Sequence, residues 1–301
     1  MSATRMSCVL VPVLFSTAAW CHGAQKKVLV YTRNYTPDGK GYVHDNIKAS
    51  IEAIRKMGRE NGFAVDVSDD PKVFTDENLK QYKALVFSNS NNEAFENDAQ
   101  RAAFQRYIRA GGGFVGIHSA SGSERKWDYY CSVLGARFKR HPKQQPFTVR
   151  VVDPRHPATC DLPATFTWGP DECYYHDNFN KDIKPLLVVD PSTLNDPQKG
   201  IYPGNRFGDA MPIAWYHTFD GGREFYTALG HNIAQYKDPI LTKHILGGIL
   251  WAMGEKPYAA TRPAGNGAKK STENQPAVPT AIAGSRQEDR TTKTPCRTKP
   301  E

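Results

Sequence analysis

RYIRAGGGFVGIHSA, residues 106–120, passes from a helical pattern through three consecutive glycines into an apolar run that ends on a histidine. The glycines at 111–113 stop a helix read over about 98–110, and FVGIH (114–118) has the unbroken apolar character of a strand buried on both faces. Helix and buried strand in succession are the repeating unit of a parallel sheet with helices packed on it. Upstream, VLVYT (28–32) reads as the first strand. A loop with Pro37, Gly39 and Gly41 leads from it to a helix over about 44–61, with Ile47, Ile51 and Ile54 on one side. FAVDV (63–67) and ALVFS (84–88) are the next strands, with a short helix capped by Thr75 between them. Downstream, 127–134 reads as helix, and PIAWYHTF and EFYTALGH as two strands joined at Asp220-Gly221-Gly222. A helix over about 239–253 follows. Between Phe147 and Val189 the β-like runs VRVV, FTW and LLVV are expected to cover one end of the sheet. The fold class expected is α/β with a mostly parallel central sheet.

The ends differ from this middle. Residues 1–24 read as an export signal: Arg5 gives positive charge, an apolar run from Cys8 to Phe15 is too short to cross a bilayer, and small residues follow at 16–19. Residues 257–301, rich in Pro, Ala, Thr, Lys and Gly without periodicity, read as a disordered tail. One domain over 25–256 remains, expected to be secreted or periplasmic, with no membrane segment after the leader is removed. The net charge of +8 does not point to nucleic acid, because the tail holds eight Lys/Arg against four Asp/Glu. What is left on the domain is too scattered to make a phosphate-binding surface. Of six cysteines, Cys160 and Cys173 are the pair expected to bond if any do in an oxidising compartment. Nothing in the sequence indicates an oligomeric state.

Open parallel sheets bind ligands at the carboxyl ends of their strands. His118 ends the central strand, His231 the last one, His217 its hairpin neighbour, and His44 opens the first helix. Imidazoles that converge there can hold a divalent metal such as zinc, or move protons near neutral pH. Glu172, in a carboxylate-rich stretch beside His176, is the candidate acid or base. Trp127, Tyr174 and Trp215 offer flat faces suited to sugar rings, with His44 and His217 as further substrate contacts.

Taken together, KVLVYT with the later Val43-His44-Asp45, NGFAVDVSDDPKVFTDENL, RYIRAGGGFVGIHSA, LGARFKRHP and IAWYHTFDGGREFYTALGH resemble the trehalose-utilisation (ThuA-like) family from about residue 27 to 254. That family is similar in fold to class I glutamine amidotransferases, which implies a flavodoxin-like three-layer sandwich. His118 stands where those enzymes carry a cysteine nucleophile, and Asn232 follows His231 where a Pro-Glu pair is expected, so glutaminase chemistry is not implied. The resemblance implies carbohydrate utilisation: cleavage or modification of a 3-keto disaccharide or glycoside, with His118, His231 and Glu172 as catalytic groups and His44, His118 and His231 as metal ligands. Two other readings stand beside it. One is a sugar-binding module without turnover, and the other a serine hydrolase that uses Ser119.

Overall fold

In the computed structural model, which describes residues 25–199 and 210–255, the apolar run after the triple glycine lies in the middle of a nine-stranded sheet. Its strands in chain order are β1 Lys27–Tyr31, β2 Ala64–Ser68, β3 Ala84–Ser88, β4 Gly113–Ile117, β5 Gln145–Val151, β6 Thr165–Asp171, β7 Lys184–Val189, β8 Met211–Phe219 and β9 Gly222–Thr227. In space they run β2-β1-β3-β4-β9-β8-β7-β5-β6. Neighbours from β2 to β9 are parallel, and every pair from β9 outward is antiparallel. The principal helices are α1 Ile47–Asn61, α2 Asp98–Arg109, α3 Asp128–Leu134 and α4 Pro239–Ala252.

Both faces of β4 are covered, which is why its sequence is apolar without alternation. On one face Phe114 packs against Phe104 of α2 and Tyr130 of α3, each at a ring separation of 5.8 Å. On the other, a Cβ at Gly113 would lie 2.4 Å from the Ala252 carbonyl oxygen, so only glycine lets α4 approach so closely. The β8–β9 turn has Asp220 at φ 49° and Gly221 at φ 100°, the paired left-handed residues that a tight hairpin needs.

The segment 147–189 corrects the expectation placed on it. Rather than covering an end of the sheet, β5, β6 and β7 extend its edge beyond β8. Alternate residues of β5 and β6 are buried and exposed, the pattern of strands with one covered face. The Cys160–Cys173 pair does not form either: both are free thiols, Cys173 buried behind the end of β6 and Cys160 exposed before its start. The leader at 1–24 and the tail at 257–301 lie outside the described residues. Among the described residues no helix is long and apolar enough to cross a membrane.

Glu224 on β9 is fully buried, and no side chain donates a hydrogen bond to its carboxylate among the described residues. Its cross-strand partner is His217, whose ring burial pulls below its ordinary pKa. Burial pushes the Glu224 carboxyl up to about 9. The fold therefore holds it protonated while the unfolded chain ionises it above about pH 4.5, so stability falls as pH rises from there towards 9. Glu224→Gln is expected to be more stable than the parent by about 4 kcal/mol at pH 8 and nearly equal at pH 4.5. Urea unfolding at both pH values checks this, and an equal difference at both would count against it.

Candidate functional site

Four side chains from four separate parts of the chain meet at the carboxyl ends of the parallel strands. His118 follows β4 on a sharp strand-to-helix turn at φ 51°, a left-handed conformation costly for a residue with a side chain. His231 lies four residues past β9, and His44 precedes α1. Glu172 directly follows β6. One ligand-type atom from each of the four lies within 4.8 Å of the others, and all four residues are buried.

Three of these atoms form a nearly equilateral triangle. His118 Nε2 is 3.3 Å from His231 Nδ1 and 3.5 Å from Glu172 Oε2, and His231 Nδ1 is 3.2 Å from Glu172 Oε2. Ligand atoms held at about 2.0–2.1 Å around a tetrahedral ion stand about 3.4 Å apart. The triangle already has that spacing. His118 Nδ1 donates to the Ala228 carbonyl at 2.7 Å, which leaves its Nε2 lone pair facing the cluster, the posture of a metal-binding imidazole. His44 Nδ1 is buried and has no hydrogen-bond partner among the described residues. A buried acceptor without a partner and a preset triangle of donors both fit a divalent ion with nitrogen and carboxylate ligands.

The electrostatics agree. Burial, together with the neighbouring His118 and His231 rings, pulls His44 down to about 3, so it is neutral at physiological pH. Burial alone would raise the Glu172 carboxyl, but the His118 and His231 rings beside it hold it well below the usual carboxylate range. Burial pulls the His231 ring down, and the hydrogen bond and charge of Glu172 more than reverse this, raising it above its ordinary value. The other Glu172 oxygen faces His141 Nε2 at 3.4 Å.

Asp171 organises this arrangement from behind. Fully buried, it accepts from Trp168 Nε1 at 2.6 Å, Glu172 N at 2.8 Å, Gly230 N at 3.1 Å and His231 N at 3.3 Å. One carboxylate thus fixes the backbone on both sides of the cluster. The carboxylate-rich stretch marked it only as one acid among several, because the Gly230 and His231 amides reach it in space alone.

A cleft of about 340 Å³ opens over the cluster, bordered by Tyr42, Arg125, His141 and Tyr174. The Tyr174 hydroxyl lies 2.9 Å from His118 Nε2. Tyr42, 58 % exposed, stands edge-on to His44 at the cleft mouth and was not legible as a site residue in the sequence. His44, His118, Glu172, Tyr174 and His231 are thus brought together, and three other candidates are not. Trp215 is fully buried and donates through Nε1 to the Leu134 carbonyl at 2.8 Å, and His217 donates through Nε2 to the Val133 carbonyl at 2.8 Å. Both are corrected to packing residues that tie β8 to α3. Because β8 runs antiparallel, its carboxyl end points away from the cluster. Trp127 lines a neighbouring depression instead. Ser119 borders the cleft, but its Oγ has no hydrogen-bond partner among the described residues, so the Ser–His contact that activates a serine nucleophile is missing.

The family model described as "Trehalose utilisation", ThuA, matches residues 27–252. Among solved structures, a ThuA-like protein from Bacteroides uniformis is 25 % identical, with a TM-score of 0.60 over 78 % of this chain and 94 % of its own. A ThuA-like protein from Parabacteroides merdae is 18 % identical, with a TM-score of 0.58 over 77 % and 91 %. A cytoplasmic protein from Salmonella typhimurium shares the fold at 14 % identity and a TM-score of 0.53, over 75 % and 98 %. No curated protein matches the chain. The match spans the whole sheet and every member of the histidine cluster, and the chain belongs to the ThuA trehalose-utilisation family.

Proposed function

We propose that this chain is an exported enzyme of carbohydrate utilisation that holds one divalent metal ion through His44, His118, Glu172 and His231 and cleaves or modifies a keto-disaccharide or glycoside in the cleft above them. The observation that carries this reading is the triangle of His118 Nε2, His231 Nδ1 and Glu172 Oε2 with edges of 3.2–3.5 Å, set in the buried floor of an open cleft. A bound ion would act as a Lewis acid toward a carbonyl or hydroxyl oxygen of the sugar. The protein's own groups do the rest. The Ala228 carbonyl holds His118 in one tautomer, and Asp171 holds the backbone of Glu172 and His231. Tyr174 brings an O–H to the same point, where it can donate to a sugar oxygen. A keto group acidifies the neighbouring C–H, so a base in the cleft can take that proton as the C=C bond forms and the glycosidic C–O bond breaks, and the departing oxygen takes a proton from water in the open cleft.

The test is a screen of 3-keto glycosides and their parent disaccharides with protein stripped of metal and then reloaded with zinc, manganese or cobalt. Turnover by the reloaded protein is expected, with a loss of about 100-fold or more in His118→Ala. Binding without turnover under every metal would favour a sugar-binding module, and neither binding nor turnover would remove the carbohydrate reading.

A further inference from the structure

The cleft over the cluster does not end at its own wall. A second depression of about 460 Å³ adjoins it, and Gly122 and Arg125 line both. We propose that this second lobe seats the non-reacting ring of a two-ring glycoside, with Trp127 as the stacking face and Arg125 astride the linkage. The inference rests on the carbohydrate reading above and adds where the second ring lies and which side chains select it.

The ridge between the lobes is kept low. A Cβ at Gly122 would meet Asn91 Oδ1 at 2.4 Å and Arg125 Nη2 at 2.8 Å, so a side chain between the lobes would have to displace both. Arg125 is held there by its Nη2, which donates to Asn91 Oδ1 at 3.2 Å, and by the Phe138 ring 5.4 Å from its guanidinium carbon. No carboxylate pairs with it among the described residues, and its remaining N–H donors are free to meet the ring and bridging oxygens of a ligand.

The second lobe has the make-up of a site for an uncharged polyol, an aromatic plane with polar groups around it. Trp127 is half-buried and fixed by Phe95 edge-on at 5.8 Å, Tyr129 at 5.5 Å and the Arg101 guanidinium at 5.9 Å. Arg101 is neutralised by Glu124, Nε to Oε2 at 3.0 Å. Glu124 itself is buried at φ 46° and also accepts from the amides of Ala94 at 2.9 Å and Phe95 at 3.1 Å. A left-handed glutamate persists only where its surroundings over-determine it, and here three accepted hydrogen bonds hold the loop that carries Arg125 and Trp127.

The experiment records the tryptophan indole N–H and histidine ring signals of the full chain by NMR while a disaccharide, or the methyl glycoside of one of its rings, is added. The Trp127 signal, identified by its loss in Trp127→Leu, is expected to move with the two-ring ligand and not with the one-ring ligand. In Trp127→Leu, and in Arg125→Met at an exposed position, the preference for two rings over one is expected to fall from about tenfold or more to near one. If histidine signals move with both ligands while Trp127 stays still, the subsite is overturned and the carbohydrate reading stands. If the one-ring ligand moves Trp127 equally, the subsite is likewise overturned. If neither ligand moves any signal, both fall together.

Discussion

Asp171→Asn is expected to lower folding stability by about 3 kcal/mol and to weaken metal retention at least tenfold, although the residue lies behind the cluster rather than in it. The parent carboxylate accepts four hydrogen bonds, two on each oxygen. An amide of the same shape keeps one acceptor oxygen and turns an NH₂ group toward the two donors that the other oxygen served. Each buried donor left without an acceptor costs about 1–3 kcal/mol. The donors at risk include the backbone N–H groups of Glu172 and His231, so the triangle loses its support on two corners. Groups that orient metal ligands typically change affinity by about 10–100-fold when removed. Urea unfolding of the metal-free protein measures the first effect, and competition with a chromophoric chelator the second. A variant within 1 kcal/mol of the parent that also kept its metal affinity would show that Asp171 does not position the site.

The second large effect is expected at Glu172 itself. Glu172→Gln removes the only carboxylate of the cluster and leaves three imidazoles around the same point. Metal affinity is expected to fall by about 100-fold or more, and turnover by about 10²–10⁴-fold. The metal-free variant gives an independent readout. In the parent, Glu172 raises the His231 pKa, so the charged ring contributes stability below its unfolded pKa of about 6.5, and that contribution is lost as pH rises through the raised folded value. Without the carboxylate that support disappears, and the His231 ring is expected to titrate at lower pH than in the parent. Ring-proton NMR follows this directly, and an unchanged midpoint would mean that the hydrogen bond is not made in solution.

The legible and illegible parts of the site divide along a physical line. The buried strand ending at His118 and the last strand running toward His231 could be read because an apolar run and a turn signal are local properties, and parallel sheets present ligands at those ends. His44 was reachable for the same reason, since α1 returns from the end of β1. The hairpin signal at Asp220-Gly221-Gly222 already set β8 antiparallel to β9, but what a strand's side chains pack against is not local: His217 and Trp215 face α3. The same gap hid how 147–189 adds to the sheet edge, because edge addition depends on pairing partners far away in the chain. Asp171, Arg125 and Gly122 have roles that exist only in three dimensions: an acceptor that joins its own strand end to the Gly230 and His231 amides, an arginine beside a low ridge, and a glycine whose Cβ would displace that arginine.

The account stands on the cluster being a metal centre. Elemental analysis and metal-edge X-ray absorption on protein purified without chelator, side by side with His118→Ala, test this most directly. The prediction is about one first-row divalent ion per chain, ligated by nitrogen and oxygen at about 2.0–2.2 Å and absent from the variant. Parent and variant proteins with the same metal content, or a parent that stays empty after dialysis against excess zinc, manganese or cobalt, would contradict it.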